Sequence, residues 1–105
     1  MYHVNNNAVK LQKIIENTNN TEYAFDPRMK ILLRITKIIL ESGSIGRTLL
    51  SQQTRVSYDR VSMHVEWLEK KHLVESILDE HKVKLRLTEK GRQFAELLCD
   101  LDFML

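Results

Sequence analysis

The stretch Lys82-Val83-Lys84-Leu85-Arg86-Leu87 alternates charged and apolar residues without a break. A strand turns successive side chains to opposite faces, so this pattern predicts a strand with one buried face and one fully basic face. Residues 73–78 are the predicted antiparallel partner, joined through Asp79-Glu80-His81. That turn has neither Gly nor Asn, which predicts a short, plain hairpin. Everywhere else the apolar period is helical, so the hairpin is a small β element in a mainly α chain.

The first strong helix signal starts at Asp26-Pro27 and runs to about Ser42. Asp suits an N-cap, Pro tolerates the first helical position, and Gly43 suits the C-terminal stop. Lys30, Arg34, Lys37 and Glu41 share a narrow polar strip, while the apolar residues cover an arc of roughly 220°, wider than one packed face needs. This predicts burial on two sides, one of them against a second subunit. Ser44 is the expected cap of a shorter helix over 45–54, with Ile45, Leu49 and Leu50 inward. Arg55-Val56 reads as a tight turn. Ser57 then caps a third helix over 58–71, whose core positions are Val61, Val65 and Leu68. Thr88 caps a last helix with Phe94, Leu97, Leu98, Leu101, Met104 and Leu105 on one stripe. Gly91 in its first turn gives room for close packing.

With 105 residues the chain is one domain's worth. Residues 1–22 hold two Asn-rich clusters and read as an extension, either a short helix over 5–17 carrying Leu11, Ile14 and Ile15 or a mobile lead. Residues 23–105 form the domain proper. The lone Cys99 rules out an internal disulfide and fits a reducing cytoplasm. The N-terminus has no apolar run of signal-peptide length, and no segment is long enough to span a membrane. Net charge is only +2, but it is unevenly placed. Residues 1–29 are neutral, residues 30–92 carry a net +5 and residues 93–105 carry −3. The positive charge therefore sits where a nucleic-acid face would need it.

The element order is helix, helix, helix, strand, strand, helix, with two short helices around a tight turn ahead of the hairpin. This is the plan of a winged helix-turn-helix with an N-terminal extension. The segment VSYDRVSMHVEWLEKKHLVES resembles the recognition-helix signature of winged-helix regulators, and LRLTEKGRQFAELL resembles the segment that leaves their wing and starts the last helix. With GRTLLSQQTRVSYDRV, the chain is similar over about 27–103 to small archaeal winged-helix DNA-binding proteins, some of which dimerise through a C-terminal helix. His72 stands where Gly is usual after Lys-Lys, and the last helix is short. The resemblance implies a transcriptional regulator, or a small chromosomal DNA binder, that binds double-stranded DNA as a homodimer.

On that plan the recognition helix presents Asp59, Arg60, Ser62, Met63, Glu66, Trp67 and Lys70 outward. Arg60 is the candidate guanine reader, Ser62 a base or phosphate contact, and Met63 a partner for a thymine methyl. Ser57 and Tyr58 lie at the helix N-terminus, where such contacts concentrate. Lys82, Lys84 and Arg86 on the wing, His81 at its tip and Arg55 in the turn are the candidate phosphate contacts. Arg47, Gln52 and Gln53 flank them. Leu97, Leu98, Leu101, Met104 and Leu105 are the candidate dimerisation residues; the alternative is a monomer in which Leu11, Ile14 and Ile15 of the N-terminal segment cover the same stripe. His3, His64, His72 and His81 share no metal spacing, and no motif arranges a catalytic group, so the expectation is no enzyme, metal or cofactor. No small-molecule effector is evident. The rival is a winged-helix scaffold that docks another protein; a basic wing face favours DNA.

Overall fold

A computed structural model of the chain describes residues 9, 10, 14 and 25–104. The elements are α1 (Met29–Ser42), α2 (Arg47–Thr54), α3 (Tyr58–Lys70), β1 (Val74–Asp79), β2 (Lys82–Leu87) and α4 (Glu89–Met104). The strands form one antiparallel hairpin, with Val74 opposite Leu87 and Asp79 opposite Lys82. No helix among the described residues is long and apolar enough to cross a membrane. Val9, Lys10 and Ile14 have helical backbone; the rest of the proposed extension lies outside the described residues.

Helix α1 is the hub of the fold, packed by α2, α3, α4 and β2. Ile31, Leu32, Ile35, Thr36 and Ile39 are buried there. This corrects the reason for its wide apolar arc: the chain's own elements surround the helix, and no second subunit is needed to cover most of it. Thr36 tolerates burial because its hydroxyl donates to the Leu32 carbonyl at 2.8 Å.

The helix starts differ from expectation. Helix α1 begins at Met29, with Arg28 as N-cap and no side-chain cap from Asp26. The Arg28 N–H donates instead to His64 Nε2 on α3 at 3.1 Å. Helix α2 begins at Arg47 behind Gly46, not after Ser44. Ile45 is drawn out of the helix because its N–H and carbonyl both pair with Leu85 of β2, at 3.0 and 2.8 Å. That bridge adds a short third rung to the wing. Starting the helix at Arg47 also turns Leu49 outward, 48% exposed, while Leu50 stays buried.

The C-terminal half of the domain closes around Leu73. The Thr88 hydroxyl accepts from the Gly91 N–H at 2.9 Å and donates to the His72 carbonyl at 2.7 Å, so the expected cap also ties α4 to the end of α3. A Cβ on Gly91 would overlap the Leu73 carbonyl, so only glycine permits this approach. Trp67 is not an outward residue: it is 6% exposed and packs on Phe94, with ring centroids 6.3 Å apart. Helix α4 supplies the ring that takes Trp67 out of solvent, and Lys71 lies over the indole at 5.6 Å.

Candidate nucleic-acid interface

Helices α2 and α3 enclose the turn Arg55-Val56-Ser57. Arg55 takes the left-handed conformation at φ 58°, and its N–H returns to the Gln52 carbonyl. The Ser51 hydroxyl donates to the Val56 carbonyl at 2.8 Å, and Thr54 bonds back to Leu50, so the turn's polar groups are satisfied locally. Ser57 is the observed N-cap of α3, accepting from the Arg60 N–H. Val61, Val65 and Leu68 are buried as the period requires. The opposite side presents Tyr58, Asp59, Arg60 and Met63 to solvent, with Ser62 half-buried. The sequence-predicted reading surface is thus assembled at one end of α3.

His64 fixes the rotation of that helix. Its ring is buried; Nδ1 donates to the Arg60 carbonyl at 2.6 Å and Nε2 accepts from Arg28. Phe25 meets the ring edge-on at 4.9 Å. Burial holds the imidazole below its ordinary pKa; the Arg60 carbonyl bond opposes this, and the Arg60 and Arg28 charges reinforce it. In the sequence His64 is weighed only as a metal ligand and set aside for want of metal spacing. Its signal was the spacing Val61-His64-Val65-Leu68, which places it on the buried stripe.

The wing face differs from the fully basic one expected. Arg86 pairs with Glu75 at 2.6 Å and Lys84 with Asp79 at 3.0 Å, across the strands. The alternation in β2 is correct, but the antiparallel register brings acidic residues of β1 onto the same face. Lys82 and His81 at the tip are exposed and make no ion pair with a described residue. The turn is short but not plain: Glu80 and His81 both have positive φ, 49° and 66°. On the other face Leu78 and Val83 project beyond the core, 73% and 66% exposed. Arg47 is engaged with Glu69 at 2.9 Å and braces α2 against α3. Gln52 and Gln53 are exposed.

A second set of cations was not grouped by sequence reasoning. Arg28, Lys30, Arg34, Arg55 and Arg60 line an open hollow of about 620 Å³, together with Met29, Ile31, Val56 and Ser57. The i, i+4 spacing of Lys30 and Arg34 was visible, but their meeting with Arg55 and Arg60 depends on how α1 packs on the helix-turn-helix.

In α4, Leu98 is buried in the chain's own core, and Leu97 and Leu101 are half-buried. Ile14 packs against the same core and, with Lys10, lines a hollow with Leu97. The side chain of Met104 and all of Leu105 lie outside the described residues. Cys99 is half-buried, and burial pushes its thiol up, away from the reactive thiolate. Among the described residues no cluster of His, Cys, Asp and Glu could hold a metal.

Three helices, a wing and a capped helix after it define a winged helix-turn-helix. No protein-family model matches the chain, and no curated protein matches its sequence. Solved structures do match. One is SPO1453, a MarR family transcriptional regulator from Silicibacter pomeroyi DSS-3, at 23% identity and TM-score 0.63, over 73% of this chain and 55% of that one. A second is a MarR family protein from Bacillus stearothermophilus, at 24% identity and TM-score 0.64, over 94% and 65%. A third is NadR in complex with 4-hydroxyphenylacetate, at 21% identity and TM-score 0.62, over 90% and 63%. The likeness shows the winged-helix fold. The chain covers less than two thirds of the length of each of these three proteins.

Proposed function

We propose that the protein is a transcriptional regulator that binds duplex DNA in a sequence-specific way. One observation carries this: a buried, His64-anchored helix presents Tyr58, Arg60 and Met63 at its exposed N-terminal end, the geometry that places side chains against base edges in the major groove. Arg60 reads guanine, Met63 meets a thymine methyl, and Ser57, Ser62 and Arg55 position the helix on sugar and phosphate. On the wing, Lys82 and His81 approach the flanking backbone, and Lys84 and Arg86 do so with their charge partly offset by their partners. The motif likeness to archaeal regulators and the structural likeness to MarR family proteins both support this class.

Residues 23–105 act as one DNA-binding domain, and α4 pairs two copies through Leu97, Leu101, Met104 and Leu105. Sedimentation equilibrium should show a dimer, and Leu101→Asp should yield the monomer mass. A small-molecule effector is compatible with the class, since the NadR structure holds 4-hydroxyphenylacetate.

The exposed Leu78, Val83 and Leu49 favour a second reading, a scaffold that docks a protein. A mobility shift on random duplexes at two salt concentrations separates the two. DNA binding that weakens steeply with salt supports the regulator; no binding, or binding indifferent to salt, supports the scaffold.

A further inference from the structure

The hollow beside α1 and the wing differ in one electrostatic respect. The ion pairs formed between described residues engage Arg47, Lys84 and Arg86. None engages Arg28, Lys30, Arg34, Arg55 or Arg60, and no carboxylate shares the lining of the hollow with these five. Asp59 is exposed in the same first turn of α3 as Arg60 but is not part of the lining. Asp26, two residues before Arg28, is exposed and also outside the lining, and Glu41 lies in an adjoining hollow that shares Arg34 and Arg55. The crowding of these like charges is therefore not relieved by any acidic neighbour in the lining. The positive end of the α3 dipole, at Ser57, lies in the same lining.

Each cation reaches the hollow for a separate structural reason. Arg28 is held at the start of α1 by its N–H bond to His64. Lys30 and Arg34 lie one turn apart on α1. Arg55 is aimed by the left-handed conformation that ends α2, and Arg60 stands in the first turn of α3. Three elements thus converge on one concave, carboxylate-free cationic surface beside the reading surface. We propose that this hollow, through Arg28, Lys30, Arg34 and Arg55, is the main phosphate anchor of the protein, gripping the sugar–phosphate backbone of duplex DNA while Arg60 at its edge reads the adjoining base. The wing is the weaker electrostatic contact, because Lys84 and Arg86 already have counter-charges within the chain. The proposal rests on the DNA-binding reading and adds where the sequence-independent part of the affinity comes from.

The test is fluorescence polarisation of a labelled random-sequence duplex against the full chain over a range of salt. Removing a cation that neutralises one phosphate should lower the slope of log K against log salt by roughly 0.9. The triple variant Arg28→Ala/Arg34→Ala/Arg55→Ala should lower the slope by about three such steps, equally on every sequence. The wing variant Lys84→Ala/Arg86→Ala should lower it by less than about one step per residue. The single variants Arg34→Gln and Arg55→Gln keep the comparison alive if the triple fails to fold. Each should cost roughly one step, and Arg34→Lys should restore it. A wing variant that flattens the slope as much as the triple, or hollow variants that leave it unchanged or alter sequence preference, would overturn the assignment. If the unmodified protein binds no duplex, the DNA-binding reading falls with it. If it binds and only the hollow variants are silent, the anchor alone is wrong.

Discussion

The two ends of α3 are built for opposite purposes. At the C-terminal end Trp67, Leu68 and Lys71 are buried, the indole meets Phe94, and Gly91 lets Leu73 approach α4. At the N-terminal end Tyr58, Asp59, Arg60 and Met63 face solvent, and the Ser57 cap, the buried Val61 and His64 hold the backbone in place. One end is anchored in the core, and the other is left open to solvent. A rigid reading surface needs this asymmetry, since a helix packed all along its length has no face left to read with, and one packed nowhere holds no orientation.

If this division is right, substitutions at the two ends should affect different measurements. The largest effect is expected from Trp67→Ala, which removes a buried aromatic side chain and should cost about 3–5 kcal/mol of stability by denaturant unfolding. Loss of under about 1 kcal/mol would mean that the closed end contributes little to the anchor.

Arg60→Ala is the counterpart at the open end. The melting temperature should hold, because the side chain is exposed and makes no ion pair with a described residue. Discrimination against the wrong base at one position should fall by about 1–3 kcal/mol in competition binding. Uniform loss on all sequences would reassign Arg60 from base to phosphate.

A third variant should separate the ends further. His72 has φ 60° in the turn after α3, a conformation that costs a residue with a Cβ about 1–2 kcal/mol. His72→Gly should therefore raise stability by about 1 kcal/mol and leave DNA affinity unchanged. Altered affinity would show that the closed end communicates with the open one.

The mildest perturbation is acid. His64 is buried neutral, with its pKa lowered chiefly by burial, so the unfolded chain binds a proton at a pH where the folded chain does not. Its contribution to stability is fully present above the ordinary imidazole pKa of about 6.5 and falls as pH drops below that. Protonated Nε2 would face the Arg28 N–H with no lone pair to offer. Thermal melts over mildly acidic pH should show this loss, and His64→Gln should flatten it.

Much of this molecule follows from local pattern. The helix periods, the strict alternation in 82–87, Ser57 and Thr88 as caps and Gly91 as a close-packing point are local signals, because each depends on a residue's own turn or strand. The exposed end of α3 was legible for the same reason. What local pattern missed was decided by partners distant in sequence. Ile45 left its helix because Leu85 offered two backbone bonds, and Arg28 replaced Asp26 at the start of α1 because His64, 36 residues on, accepted its N–H. Phe94 took Trp67 out of solvent, and Glu75 and Asp79 met the wing cations through strand register. The five-cation hollow had no single sequence signature, because its members come from three elements. A chain's periodicity determines which face of each element is apolar, whereas which charges meet depends on how those elements pack, and only the tertiary structure decides that.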